Sequence, residues 1–416
     1  MRWSRALSLQ SIKDNGGLES AILGYFTPSP HVLMSIIGPR TRLLSFSREV
    51  SEQLINFLPM MDTSELKSLK IRDCTNWETR IYEPLQMLQL SNLKELSLYN
   101  ILHLELPKNI QLESLTISQS SVKSLEHFKN VFKGLKNLSL KGFPLIKSFE
   151  PLREMRPEGL KLEYFPKVSS LEPLREMRPE GLNLYDFPLV ESLEPLREMC
   201  PKNLKLDYFP KVLSLEPLRE MQPEGLNLKS FLHVSSLEPL QNMNPKSLSL
   251  YNFDNVSSLE PLRNMRPESL TLQGFPLIKS FEPLRNMRPE NLNLLFFYVV
   301  LSLEPLREMR PKNLHIHSLP KLLSLEPLRN MNPKSLFLYG LPYVSSLEPL
   351  SKMYPKVLDL MCLESISSLQ PLKDMRPKIL KLSHLKNISS LEPLREMCPE
   401  NLELNNLRNV SSIEFF

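Results

Sequence analysis

The chain has 416 residues, 41% apolar and 23% charged, with a formal net charge of +5. That apolar share excludes wholesale disorder, and no apolar run reaches the ~18 residues of a membrane span. So mild a charge, without a Lys/Arg block, argues against a nucleic-acid partner, and 11 glycines beside 37 prolines exclude collagen.

The start, Met1-Arg2-Trp3-Ser4-Arg5, is not followed by the ~7–15-residue apolar core of a secretory signal. The apolar stretches from Ala21 to Phe26 and from Val32 to Ile37 are too short and too late. Cys74, Cys200, Cys362 and Cys398 show no CxxC spacing, so neither a disulfide framework nor a zinc site is expected. Together these features predict an intracellular, cytoplasmic protein with reduced thiols, no membrane association and no cofactor. Residues 1–61 do not repeat. Val50, Leu54, Phe57 and Leu58 stand at helical spacing after Ser47, which predicts an N-terminal helical cap over the first strand. Docking to other machinery is the alternative use of this segment.

From residue 62 the chain repeats, irregularly to 148 and then strictly. The run Leu171-Glu172-Pro173-Leu174-Arg175-Glu176-Met177 recurs every 22 residues in twelve units over 149–412, with two prolines and one methionine held in every unit. A last partial copy runs to 416. Within a unit, Leu160 and Leu162 alternate with Lys161 and Glu163, the period of a strand with one buried face. Pro157 lacks the N–H a ladder needs and marks the strand's start. After apolar Phe165 and Val168, Ser169-Ser170 and Pro173 read as the cap and first turn of a helix. Leu171, Leu174 and Met177 are three apart, which fits a 3₁₀ turn. Such a unit cannot bury its apolar face alone, but stacked copies can.

These residues resemble the leucine-rich repeat superfamily. Leu66-Lys67-Ser68-Leu69-Lys70-Ile71-Arg72-Asp73-Cys74 fits LxxLxLxxC, and the runs from Leu93 to Leu98 and from Leu112 to Ile117 fit LxxLxL. The 22-residue length and the Pro-Leu turn are similar to the short, internalin-type class. The resemblance implies an α/β solenoid with a parallel concave sheet and short 3₁₀ turns on the convex side. About sixteen strands, four from Leu69 to Leu140 and twelve regular ones, are expected in one continuous sheet. Two departures stand out. Pro157 and its equivalents replace the first Leu. The corner Asn or Cys, which bonds backbone groups, is replaced by Phe from Phe143 to Phe297 and by Leu from Leu319 to Leu407. A stacked apolar column is expected there, with the corner's backbone bonds met elsewhere.

No phosphate loop, nucleophile elbow or HExxH occurs, and no catalytic set is expected. The recurring Glu172 and Arg175 columns read as solvated ladders. His315 and His317 share a strand face, but their neighbours Asn293, Leu295, Phe337 and Tyr339 include no carboxylate or thiol, so no metal is assigned. The sequons at Asn255, Asn387 and Asn409 fall in phase with the repeat and are discounted.

The outward strand residues vary between units while the inward ones hardly do, so packing does not set them. Such repeats offer this face to partners, and exposed aromatics anchor interfaces. Tyr185, Tyr251, Leu295, His315, His317, Phe337 and Tyr339 are therefore the predicted partner-binding residues. The expected function is a non-catalytic scaffold holding a protein partner on the concave face. The alternative is a substrate-recognition subunit of a larger enzyme complex, such as a ubiquitin ligase. The last unit stops at Phe415-Phe416 with no polar cap. This predicts end-to-end association through the C-terminal edge, or a fold-back of the two Phe as a minimal cap.

Overall fold

The computed structural model describes residues 18–23, 32, 36–46, 62–71, 92–99, 111–132 and 134–410. The chain divides into two compact units: Met1–Val190 with Glu198–Pro201, and Glu191–Arg197 with Lys202–Phe416.

The first unit holds β1 (Ser20–Leu23), β2 (Leu43–Phe46), β3 (Ser68–Ile71), β4 (Glu95–Tyr99), β5 (Ser114–Ser118), β6 (Asn137–Lys141), β7 (Gly159–Glu163) and β8 (Gly181–Tyr185). Each pairs in parallel with the next. Its one described α-helix longer than a single residue is the four-residue α1, Lys129–Phe132. The second unit holds β9 (Asn203–Asp207), β10 (Gly225–Lys229), β11 (Ser247–Tyr251), β12 (Ser269–Gln273), β13 (Asn291–Leu295), β14 (Asn313–His317), β15 (Ser335–Tyr339), β16 (Val357–Met361), β17 (Ile379–Ser383) and β18 (Asn401–Asn405). These also pair in parallel, in chain order. All sixteen strands expected from Leu69 onward are present, as β3 to β18.

The described residues before 62 differ from the helical end expected there. β1 and β2 join the sheet of the first unit, Ala21 pairing with Leu44 and Leu44 with Leu69, and Ala21 and Leu44 are fully buried. Strand pairing thus begins before the leucine pattern can be read. The helix expected from Val50 to Leu58 lies outside the described residues, as do Cys74, Phe415 and Phe416.

In every regular unit but the last the inward residues, such as Leu160 and Leu162, are buried, and so is Pro157 in the place of the first Leu; in the last unit Leu402 and Leu404 are half-buried. The turn residues Glu172–Leu174 form a 3₁₀ turn, repeated in all twelve regular units. Ser170 stands two residues ahead of it. Its Oγ accepts the Glu172 N–H at 3.1 Å, a contact repeated from Ser148 to Ser390. Arg175 forks onto Glu172 at 2.6 and 2.8 Å. The charge columns are therefore ion pairs within single units. The hydrogen bond from Arg175 holds the Glu172 carboxyl below its ordinary range, although the exposed pair adds little stability.

The corner resolves the missing polar ladder. The residue after each strand from β6 on is left-handed, with φ from +52° to +73°: Gly142, then Tyr164, Asp186 and their equivalents to Asn406. This turn aims two N–H groups along the sheet. Tyr164 N–H donates to Tyr185 O at 2.8 Å, and Phe165 N–H to Asp186 O at 3.1 Å. Asn252 and Phe253 do the same toward Gln273 and Gly274, at 2.8 and 3.1 Å. The backbone thus meets its own donors and leaves the side-chain position free to be apolar. The phenylalanines stack there, Phe143 on Phe165 at 5.5 Å and Phe253 on Phe275 at 5.6 Å between centroids, all fully buried. Leu319, Leu341, Leu363 and Leu385 continue the buried column, and Leu407 is half-buried. The sequon asparagines also have structural roles. Asn255, Asn387 and Asn409 donate to the carbonyls of Leu232, Glu364 and Lys386 one unit earlier.

Candidate protein-binding surface

Parallel pairing that always matches a residue to the same position of the next unit turns each outward strand position into a row across the sheet. In the second unit one row reads Asn293, His315, Phe337, Asp359, Lys381, Glu403. The next reads Leu295, His317, Tyr339, Met361, Ser383, Asn405. Leu295, His315, His317, Phe337 and Tyr339 are therefore brought together on β13 to β15. Tyr251 lies in the second row, two strands before Leu295, ~10 Å away at ~4.8 Å per strand. Tyr185 belongs to the first unit, where it is 39% exposed.

The four rings of this group, His315, His317, Phe337 and Tyr339, pack on one another, and Leu295 stands in register beside His317. The two imidazoles stack at 6.0 Å and 10°, and the Tyr339 ring stands edge-on to both, at 5.1 Å from His315 and 5.5 Å from His317. Phe337 lies 5.7 Å from His315. These are the offset and T-shaped geometries aromatic quadrupoles favour. All five remain partly exposed.

Polar groups in the cluster are largely spoken for. Tyr339 Oη donates to Asp359 Oδ2 at 2.6 Å. Burial, then that hydrogen bond, pushes the phenol well above its ordinary range, so it stays a neutral donor. Burial holds both imidazoles below their ordinary value, and for His315 the neighbouring His317 adds to this. This favours the neutral form of both rings. Beside the cluster, Lys381 pairs with Glu403 at 2.7 Å. One group is left over: His315 Nε2 is buried without a hydrogen-bond partner among the described residues. No group of three or more His, Cys, Asp or Glu among the described residues could hold a metal ion.

Three features of this surface escape the alternation rule. Phe296, in the left-handed corner, lies 4.8 Å from the His317 ring. Asp359 closes on Tyr339 diagonally across two strands, although as a carboxylate it is unremarkable in the sequence. Leu301, Leu323 and Tyr343, in the corners after β13, β14 and β15, are 62%, 65% and 62% exposed. Aligning the corners unit by unit would have revealed this last group, because most units carry Ser, Lys or Asn there.

No protein-family model matches the chain, and no curated protein matches it in sequence. Among solved structures it is similar to an internalin from Listeria monocytogenes. Their identity is 17%, the match covers 73% of this chain and 85% of that one, and the TM-score is 0.35. The leucine-rich-repeat architecture rests on the chain's own geometry, a parallel strand, a left-handed corner and a 3₁₀ turn in every regular unit. No described helix is long and apolar enough to cross a membrane.

Proposed function

We propose that this chain is a non-catalytic binding module that holds a partner protein on the outward strand face of β13 to β16. The observation that carries this reading is the aromatic cluster of His315, His317, Phe337 and Tyr339. Its rings pack together yet stay partly exposed, on a face where the repeat's own packing demands nothing. Other units build the same strand with residues as different as Thr271 and Gln273 or Lys381 and Ser383 at these positions, so the cluster costs exposed apolar area without serving the fold. Pre-packed aromatic anchors lose little freedom on binding. The unpartnered His315 Nε2 supports the same reading, since a buried polar atom without a partner costs ~1–3 kcal/mol and a donor or acceptor from a partner would recover it. The apolar corners at Leu301, Leu323 and Tyr343 extend the surface.

The test is the double substitution Phe337→Ala and Tyr339→Ala in the full chain. A partner captured from native cells by cross-linking, then verified with purified components, should bind at least ~2 kcal/mol more weakly. The circular-dichroism melt should shift little, because these side chains lie outside the leucine core. Unchanged affinity for a verified partner removes this surface from the reading.

A further inference from the structure

The residue just before each regular strand also forms a row, and its charge is informative. This residue starts the ladder: Lys334 N–H donates to Lys312 O at 2.6 Å, Lys356 N–H to Lys334 O at 2.7 Å and Lys378 N–H to Lys356 O at 2.8 Å. Elsewhere the row mixes signs, with ion pairs such as Lys136 to Glu113 at 3.1 Å in the first unit and Lys246 to Glu224 at 2.7 Å in the second. Before β14 to β17 it holds four lysines in succession, Lys312, Lys334, Lys356 and Lys378, all exposed. The outer two are neutralised, by Glu290 and Glu400, each at 2.6 Å. Lys334 and Lys356 have no ion-pair partner among the described residues. Like charges facing each other across strands are destabilising. Other units carry Glu at this position, so the fold does not require lysine.

The ladder lies beside the aromatic cluster. Three residues along the same strands stand His315, Phe337, Asp359 and Lys381, ~10 Å away at ~3.3 Å per residue. Over β14 to β17 that second row is neutral only in sum: the Asp359 carboxylate, which accepts from Tyr339, is offset by Lys381 in the next strand, and Lys381 also pairs with Glu403. Strict alternation would turn residues three apart to opposite faces, but here the buried Pro311, Pro333, Pro355 and Pro377 take the core side just before the lysines, which are exposed; a partner thus meets an uncompensated positive flank beside an aromatic row with no net charge. An extended peptide crossing the strands covers one row, because its backbone is too narrow for both. An α-helix with its side chains is ~10–12 Å wide, and its turns repeat every ~5.4 Å, close to the ~4.8 Å between strands.

We propose that the occupant of this face is an amphipathic helix of the partner protein, lying across β14 to β17, with acidic side chains over Lys334 and Lys356 and apolar ones over Phe337 and Tyr339. This rests on the binding-module reading and adds the partner's secondary structure and charge.

The probe is a fluorescent helical peptide of about 20 residues built from Leu, Ala and Glu, with Glu along one flank of the Leu stripe. Its anisotropy is followed against the full chain at low and at physiological salt. The peptide should bind, and added salt should weaken it. Lys334→Glu with Lys356→Glu should weaken it at least ~10-fold, with a melt like that of the wild type. A Gln-for-Glu peptide, and one broken by a central Pro, should lose affinity to a similar degree. No binding of the Glu peptide overturns the proposal. So does equal binding of the Pro-broken peptide, or tighter binding of a single-stranded oligonucleotide of matched charge. If Phe337→Ala with Tyr339→Ala weakens the peptide while the lysine reversal does not, the acidic helix is wrong and the binding-module reading stands. If neither variant weakens a peptide that binds, both fail.

Discussion

His315 and His317 give the strand face its pH dependence. In the unfolded chain each imidazole keeps its ordinary value of 6.5, whereas in the fold burial lowers it. The unfolded state therefore binds more protons between the two values, and stability rises with pH across that window. The contribution is complete above pH 6.5 and is lost as pH falls through the folded values. The melting midpoint should drop on going from pH 7 to pH 5, and His315→Gln with His317→Gln should flatten that drop. Parallel pH profiles for wild type and variant would show that these imidazoles do not contribute. At this scale the sequence is legible where alternation decides: both histidines point outward, beside Phe337 and Tyr339. Alternation is silent on the Tyr339 to Asp359 hydrogen bond, which depends on side-chain reach across strands, and on Phe296, whose direction depends on a positive φ.

The corner shows why an element can be legible in outline and hidden in detail. Leucine alternation and the Glu-Pro-Leu run identify the strand and the 3₁₀ turn, because each follows from local spacing. The left-handed residue carries no such mark. Tyr164, Asp186, Ser230, Phe296, Cys362 and His384 all occupy it with positive φ, so glycine, the usual sign of this conformation, appears in few units. What sustains it is backbone bonding to the following unit, as from Tyr164, Ser230, Phe296, Cys362 and His384, joined at some corners by a second bond such as that of Phe165, a contact that no local window of sequence contains. With those bonds met by backbone, the adjoining column needs only volume and apolarity, and Phe gives way to Leu after Phe297 with full burial kept through Leu385. Phe253, stacked 5.9 Å from Phe231 and 5.6 Å from Phe275, tests this. Phe253→Ala should cost ~3–5 kcal/mol and Phe253→Leu about 1–2 kcal/mol, measured by urea denaturation. Equal costs would mean that ring stacking, rather than filled volume, holds the column.

For the whole molecule, the net charge of +5 describes the surface poorly. Four lysines spaced one unit apart leave no basic block in the sequence, and they meet only once the register is known. The same register predicts how the chain tolerates deletion. Within each compact unit, consecutive regular strands bond through the same parallel register, so stability is carried by intrinsic and nearest-neighbour contributions. Removing residues 225–246, one 22-residue period, joins Glu224 to Ser247 and keeps every later row in phase. That variant should retain a cooperative melt and the parallel-sheet circular-dichroism spectrum. Removing 225–235, half a period, brings the 3₁₀ turn to a strand position and should abolish the cooperative transition. Removing 335–356 keeps the phase but deletes Phe337, Tyr339 and Lys356 together. It should fold as well as the 225–246 deletion and yet lose the acidic helical peptide that the latter still binds. If the two in-phase deletions bind the peptide equally, recognition does not reside on β14 to β17. If the 225–246 deletion unfolds, the repeats are not interchangeable, and the surface cannot be separated from the fold in this way.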